Sequence, residues 1–219
     1  EANRILDECE KELGWMYETN HVDENGKQVY DMTGPVKGEV SDIIWSEVFI
    51  CPNCGEEIVF WNVAVDKENK RVNRIFQCDN CGIELKKTNC EKAIELVYDN
   101  ALGKTISMAK QVPVFINYSV GKKRFEKKPD KEDLGLINKI NNMKIPYWYP
   151  TDRMIEGKES RRNDKFGITH VHHFFYKRVL AVFAVYNSKI NINQNKWLLT
   201  SVIEGSSKLN RERPGGMPS

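Results

Sequence analysis

The chain has 219 residues, 40% apolar and 29% charged, enough to bury one medium core or two small ones. Its 33 Lys and Arg against 31 Asp and Glu leave a net charge of +2, so affinity for a polyanion must come from local clusters and not from global charge. No apolar run approaches the ~20 residues that cross a bilayer, and no charged-then-apolar leader opens the chain, so a cytoplasmic protein without a membrane partner is expected.

The first segment reads as a helix, with Ile5, Leu6, Cys9 and Leu13 on one face and Gly14 as its stop. Because the chain opens inside that helical pattern and closes on the Pro/Gly-rich "LNRERPGGMPS", it is expected to be a piece of a longer protein. Residues 1–48 are read as an N-terminal helix followed by a β segment.

Residues 49–90 carry the strongest signal, Cys51-Pro-Asn-Cys54-Gly and Cys78-Asp-Asn-Cys81-Gly, a short repeat separated by 23 residues. Two residues between cysteines let one tight turn aim both sulfurs at a single ion, and Gly55 and Gly82 tolerate the positive φ of such a turn. Four thiolates favour zinc, and in a reducing compartment clustered thiols bind metal more often than they form disulfides; disulfides or an iron–sulfur cluster are the alternatives. Val59, Trp61, Val63 and Val65 alternate, "DKENK" supplies a turn and "RVNRIFQC" returns, which predicts one hairpin with a ligand pair on each side, as in a zinc ribbon. A site with four thiolates has no open position for substrate, so the ribbon serves either as a staple for a small lobe or as a docking module. Cys9 and Cys90 lack a second nearby partner and read as ordinary small residues.

In residues 91–219, "QVPVFINYSV" (111–120) predicts a buried strand and "KKRFEKKP" (122–129) a basic strand or edge. Pro129 and Asp130 open a short helix through "KEDLGLINKI". Residues 145–167 read as a long polar and aromatic loop, the best candidate surface in the chain. There a basic group beside Tyr147, Trp148 and Tyr149 can grip phosphate while an aromatic face stacks a base; alternatively the aromatics fill a local core and the charges are solvated. His170, His172 and His173 suggest metal, but two imidazoles on one extended face without a carboxylate make a weak site, and a helix-start cluster or packed imidazoles is preferred. From Phe175 a stripe of Val179, Leu180, Val182, Phe183 and Tyr186 predicts a helix, and "NKWLLTSVIE" a second. The fold class expected is α+β, with a β-rich N-terminal part, a four-cysteine zinc-ribbon insertion and C-terminal helices. No phosphate-cradling Gly loop, H-E-x-x-H or G-x-S-x-G occurs, so no catalytic centre is recognisable.

Taken in order, "ICPNCGEEIVFWNVAVDKENKRV", "AKQVPVFINYSVGKKRFEKKPD", "IPYWYPTDRM", "RRNDKFGITHVHHFFYKR" and "EGSSKLNRERPGG" resemble the middle region of the large bacterial DNA methylases described as adenine-specific and containing a zinc ribbon. The resemblance covers essentially the whole chain. In that family the S-adenosylmethionine motif precedes this region and the Asp-Pro-Pro-Tyr motif follows it; neither occurs here. The resemblance therefore implies an internal, inactive segment, placed where some amino-methyltransferases carry target recognition. Its implied partners are the flanking methyltransferase core and, through the parent enzyme, double-stranded DNA, with S-adenosylmethionine a cofactor of the parent only. The metal ligands expected are Cys51, Cys54, Cys78 and Cys81, and the candidate DNA contacts are Lys122, Lys123, Arg124, Lys127, Lys128, Trp148, Tyr149, Arg153, Arg161, Arg162 and Lys165. The alternative is a zinc-stabilised scaffold or protein-interaction module of the same parent, without direct DNA contact.

Overall fold

Ile5, Cys9 and Leu13, four residues apart, are all buried, and they make the first segment an amphipathic helix. Leu6, expected on the same face, is 51% exposed, because the buried stripe is only as wide as the i, i+4 row. The computed structural model describes residues 2–69, 71–190, 202–203 and 205–208. In chain order the elements are α1 (Ala2–Leu13), a 3-10 turn (Gly14–Tyr17), β1 (Glu18–Asn20), β2 (Tyr30–Asp31), β3 (Gly34–Pro35), β4 (Lys37–Ile50), β5 (Glu57–Val59), α2 (Phe60–Ala64), β6 (Val65–Asp66) and β7 (Arg71–Val72). There follow β8 (Ile75–Gln77), β9 (Glu84–Lys86), a 3-10 turn (Lys87–Asn89), β10 (Glu91–Lys92), β11 (Ile94–Asp99), β12 (Lys104–Ala109), β13 (Gln111–Val120) and β14 (Lys123–Lys127). The chain continues through α3 (Lys131–Asn142), α4 (Lys158–Asp164), a 3-10 turn (Val171–Phe174) and α5 (Lys177–Lys189). The class is mixed α+β, and the elements sort into two compact units, residues 2–44, 114–150 and 175–190 in one and residues 45–113 and 151–174 in the other.

The first unit holds the strand order β1-β4-β13-β14, with β1 antiparallel to the start of β4 and β14 antiparallel to the end of β13. Gly38 on β4 lets the Tyr118 ring lie against the strand, since a Cβ there would sit 2.4 Å from that ring. Beside the strands, α1, the 3-10 turn after it, α3 and α5 bury Ile5, Met16, Ile140, Leu180, Val185 and Tyr186 in one cluster, each large apolar side chain worth roughly 2 kcal/mol of burial. Asp130 starts α3 with a capping box: its side chain accepts from the Glu132 and Asp133 N–H groups, and Asp133 reaches back to the Asp130 N–H. A buried ion pair then ties β14 to α3, with Lys127 Nζ 2.8 Å from an Asp133 oxygen whose other oxygen accepts from Thr19 Oγ1 at 2.6 Å.

The second unit contains the ribbon, in which the return expected across "DKENK" forms as the short antiparallel pair β6–β7 (Val65↔Val72, Asp66↔Arg71), but the ligand pairs sit on two further hairpins and not on its two sides. β5 pairs with the end of β4 (Val48↔Val59 to Ile50↔Glu57), and β8 pairs with β9 (Ile75↔Lys86 to Gln77↔Glu84), so each Cys-x-x-Cys-Gly sits at its own hairpin tip. The expected alternation through Trp61 and Val63 is replaced by the short helix α2. The reason is packing: Phe60, Val63 and Ala64 at i, i+3, i+4 face the ribbon's apolar cluster, where Phe60 meets Phe49 and Phe76 edge-on at 5.7 and 5.6 Å. The segment expected as one loop, 145–167, is likewise divided: Ile145 joins the helical cluster of the first unit, and α4 forms within the polar part. Strands 111–120 and 123–127 and helices α3 and α5 lie where the sequence places them, whereas the helix expected over 195–204 lies almost wholly outside the described residues.

Candidate metal centre and nucleic-acid surface

Both knuckles use the same backbone. In the first, Cys51 N donates to Glu56 O at 2.8 Å and Gly55 N to Cys51 O at 2.9 Å; in the second, Cys78 N donates to Ile83 O at 3.0 Å and Gly82 N to Cys78 O at 2.8 Å. Gly55 and Gly82 have φ of 77° and 71°, the left-handed conformation each turn needs. The turns bring the four sulfurs within 4.8 Å of one another, with Cys51–Cys81 at 3.7 Å and Cys54–Cys78 at 3.8 Å. A zinc ion bonded to four sulfurs at about 2.3 Å in a tetrahedron sets them about 3.8 Å apart, whereas a disulfide requires about 2.05 Å. The four cysteines are thus spaced to hold one metal ion such as zinc. Across the pair of knuckles the Asn of each turn serves the other turn. The Ile83 N–H, then the Asn53 amide, draw the Cys81 thiol down to about 6, and the Glu56 N–H, then the Asn80 amide, lower that of Cys54. Apolar support comes from Phe49, Ile58, Ala64, Phe76 and Leu85, and Cys90 packs against this cluster without joining the four-sulfur group; Cys9 is buried in the helical core.

A second ligand-like group comes together in the same unit. Asp99, at the end of β11, places Oδ2 2.9 Å from His172 Nε2 and 2.8 Å from His173 Nε2, and all three residues are buried. Its Oδ1 accepts from Ala101 N (2.8 Å) and Leu102 N (3.1 Å) in the β11–β12 turn. Burial alone would raise the Asp99 pKa, but hydrogen bonds from His173 and His172 outweigh it and hold the carboxyl well below its ordinary value. His170 stands beside them, with Nδ1 2.7 Å from Thr169 Oγ1 and a pKa lowered by burial and then by the neighbouring His173. The sequence reading of the histidines lacked this carboxylate because Asp99 lies 73 and 74 residues away. "YDNALG" does signal an Asp-headed turn, but nothing in it points to His172.

The candidate DNA contacts divide sharply. Lys122, Lys123, Arg124 and Lys128 are exposed on or beside the β13–β14 hairpin, and no carboxylate pairs with them among the described residues. Lys127, expected among the contacts, is instead 4% exposed and locked to Asp130 and Asp133, because on a strand it shares the inward face of Phe125. Trp148 is 71% exposed, whereas Tyr149 packs against the helical cluster. In the other unit Arg153 and Arg161 share Asp164 (3.3 and 2.8 Å), Arg161 also meets Glu156 (3.2 Å), and Arg162 meets Glu159 (2.9 Å). Three arginines thus face three carboxylates, and Lys165 lies 4.9 Å from the Phe166 ring centre. Among the described residues no helix is long and apolar enough to cross a membrane. No family model, no curated protein and no solved structure matches this chain.

Proposed function

We propose that the chain is a DNA-recognition segment of a bacterial adenine-specific DNA methyltransferase, stiffened by one structural zinc ion on Cys51, Cys54, Cys78 and Cys81. The observation that carries the zinc ribbon is the sulfur spacing of 3.7–3.8 Å, and a closed set of four thiolates leaves the ion no catalytic position. The methylase assignment rests on the sequence resemblance; methyl transfer and S-adenosylmethionine binding belong to parent regions outside these residues. DNA contact draws its support from the β13–β14 hairpin, where Lys122, Lys123, Arg124 and Lys128 present four exposed cations to phosphate, and from Trp148, whose exposed ring suits stacking on an unpaired base. Base extrusion by the parent enzyme would supply such a base.

A second reading, a zinc-stabilised scaffold without DNA contact, is favoured by the carboxylates that pair Arg153, Arg161 and Arg162. Replacing Lys122, Lys123 and Arg124 together by Ala separates the two. Recognition predicts a loss of roughly 10-fold or more in duplex binding at low salt, similar for all sequences. The scaffold reading predicts no change.

A further inference from the structure

Asp99, His172 and His173 offer three ligand atoms, and their Nε2–Oδ2 separations of 2.9 and 2.8 Å would suit adjoining corners of a metal's coordination sphere as well as they suit hydrogen bonds. The far side of the His173 ring decides between these. Its Nδ1 lies 3.2 Å from the backbone N–H of Thr169, which it shares with Gly167 O (3.1 Å), and 3.4 Å from Thr169 Oγ1. A backbone N–H can only donate, whereas the longer contact, to the hydroxyl, suits either role, so the nearer partner assigns Nδ1 a lone pair and puts the one proton of the neutral ring on Nε2. A metal on Nε2 would move that proton to Nδ1, against the Thr169 N–H and with the Thr169 hydroxyl as a long acceptor at 3.4 Å. Metal-bound histidines instead turn the second nitrogen toward a carbonyl or carboxylate.

We infer that Asp99, His172 and His173 are a metal-free carboxylate clamp in which His173 is fixed as the neutral Nε2–H tautomer, and that Asp99 is the positioning residue for segment 151–174. One carboxylate fastens two pieces of chain, since its Oδ1 holds the β11–β12 turn while its Oδ2 takes both imidazoles. The segment is also fixed near the base of that hairpin. Ala109 N donates to Phe166 O at 3.1 Å, and Gly167 approaches so closely that a Cβ would lie 2.2 Å from Ser107 O. Residues 166–173 therefore run along the hairpin between two attachments. They carry Arg153 in turn, because Met154 N donates to Thr169 O (2.9 Å) and Val171 N to Asp152 O (3.0 Å). The consequence for recognition, that the clamp sets where Arg153 and α4 stand, rests on the proposed function; the clamp itself does not.

The test uses the full zinc-loaded chain. Long-range nitrogen–proton NMR of the histidine rings should show His173 with an unprotonated Nδ1 and a protonated Nε2. An imidazolium pattern, or a metal-bound Nε2, would overturn the assignment without any variant being made. Zinc, nickel or manganese in excess followed by dialysis should leave one equivalent on the Cys cluster. A second equivalent that disappears in His172→Ala would refute the metal-free clamp. Asp99→Asn keeps an acceptor for the turn but cannot accept two Nε2–H donors, so amides in 166–173 should exchange about 100-fold faster while zinc content stays unchanged, as expected for losing two hydrogen bonds to a charged group. Unchanged exchange in that variant would sink the positioning role. A chain that fails to bind DNA but shows the tautomer and the exchange effect loses only the proposed function.

Discussion

Lys127→Ala isolates a single buried charge pair. Lys127 Nζ lies 2.6 Å from Asp130, 2.8 Å from Asp133 and 3.0 Å from the Asn20 carbonyl, and removing it strands Asp133, which is 5% exposed, without its cation. Breaking a buried pair from one side costs about 3–5 kcal/mol, and because half-buried Asp130 regains water the lower part of that range is expected. Lys127→Met should lose nearly as much. Adding Asp133→Asn should recover roughly half, since the amide keeps an acceptor for Thr19 while shedding the buried charge. Burial pulls the Lys127 pKa down, but hydrogen bonds to Asp130 and Asp133 outweigh it and raise it above the ordinary 10.5. That stabilisation is therefore fully present below pH 10.5 and fades as pH climbs through the raised value. Burial raises and Lys127 more strongly lowers the Asp130 pKa from 3.8, so its share is present above pH 3.8 and is lost as pH falls through the lowered value. The penalty should then be constant from about pH 5 to 9. Urea titration followed by hydrogen exchange on peptides within 114–142 measures it locally. A cost below about 1 kcal/mol, or an equal cost for exposed Lys122→Ala, would refute the reasoning.

Chelating zinc, or replacing Cys54 or Cys81 by Ser, should abolish metal binding and raise exchange first in residues 45–90, whose apolar cluster is small, while the helical cluster around Leu180 stays protected; Cys90→Ser should keep a full equivalent by elemental analysis. Arg161→Ala with Arg162→Ala should lower the salt slope of DNA binding by no more than about 1, because both guanidiniums already face carboxylates; a larger drop would show that DNA breaks those pairs. Gly167→Ala should destabilise segment 151–174 by roughly 2–4 kcal/mol in exchange experiments, since φ is +80° and the added methyl would meet Ser107 O.

What the sequence made legible was local. The Cys-x-x-Cys-Gly repeat carries its own turn geometry, Asp130 three residues ahead of Asp133 reads as a cap, and the α5 stripe repeats at helical spacing. Where two local patterns competed, tertiary contact chose. Residues 59–65 satisfy both a period of 2 and an i, i+3, i+4 face, and Phe60 against Phe49 and Phe76 selects the helix. The run of cations at 122–128 looks like one patch, but on a strand Lys127 has the parity of Phe125, which turns it inward. The Asp99 clamp had no local signature, since its partners are joined only by the fold.

Titrating the zinc-loaded chain with a short duplex over a series of salt concentrations asks whether this segment itself meets DNA. With Lys127 buried and the α4 arginines paired, the four exposed cations Lys122, Lys123, Arg124 and Lys128 remain as phosphate contacts. Measurable binding is expected at ~50 mM salt, with a slope of log affinity against log salt of roughly −3 to −4, about −0.9 per contact. No binding at that salt, or binding whose affinity does not fall as salt rises, would contradict a recognition role and leave the zinc ribbon as a scaffold.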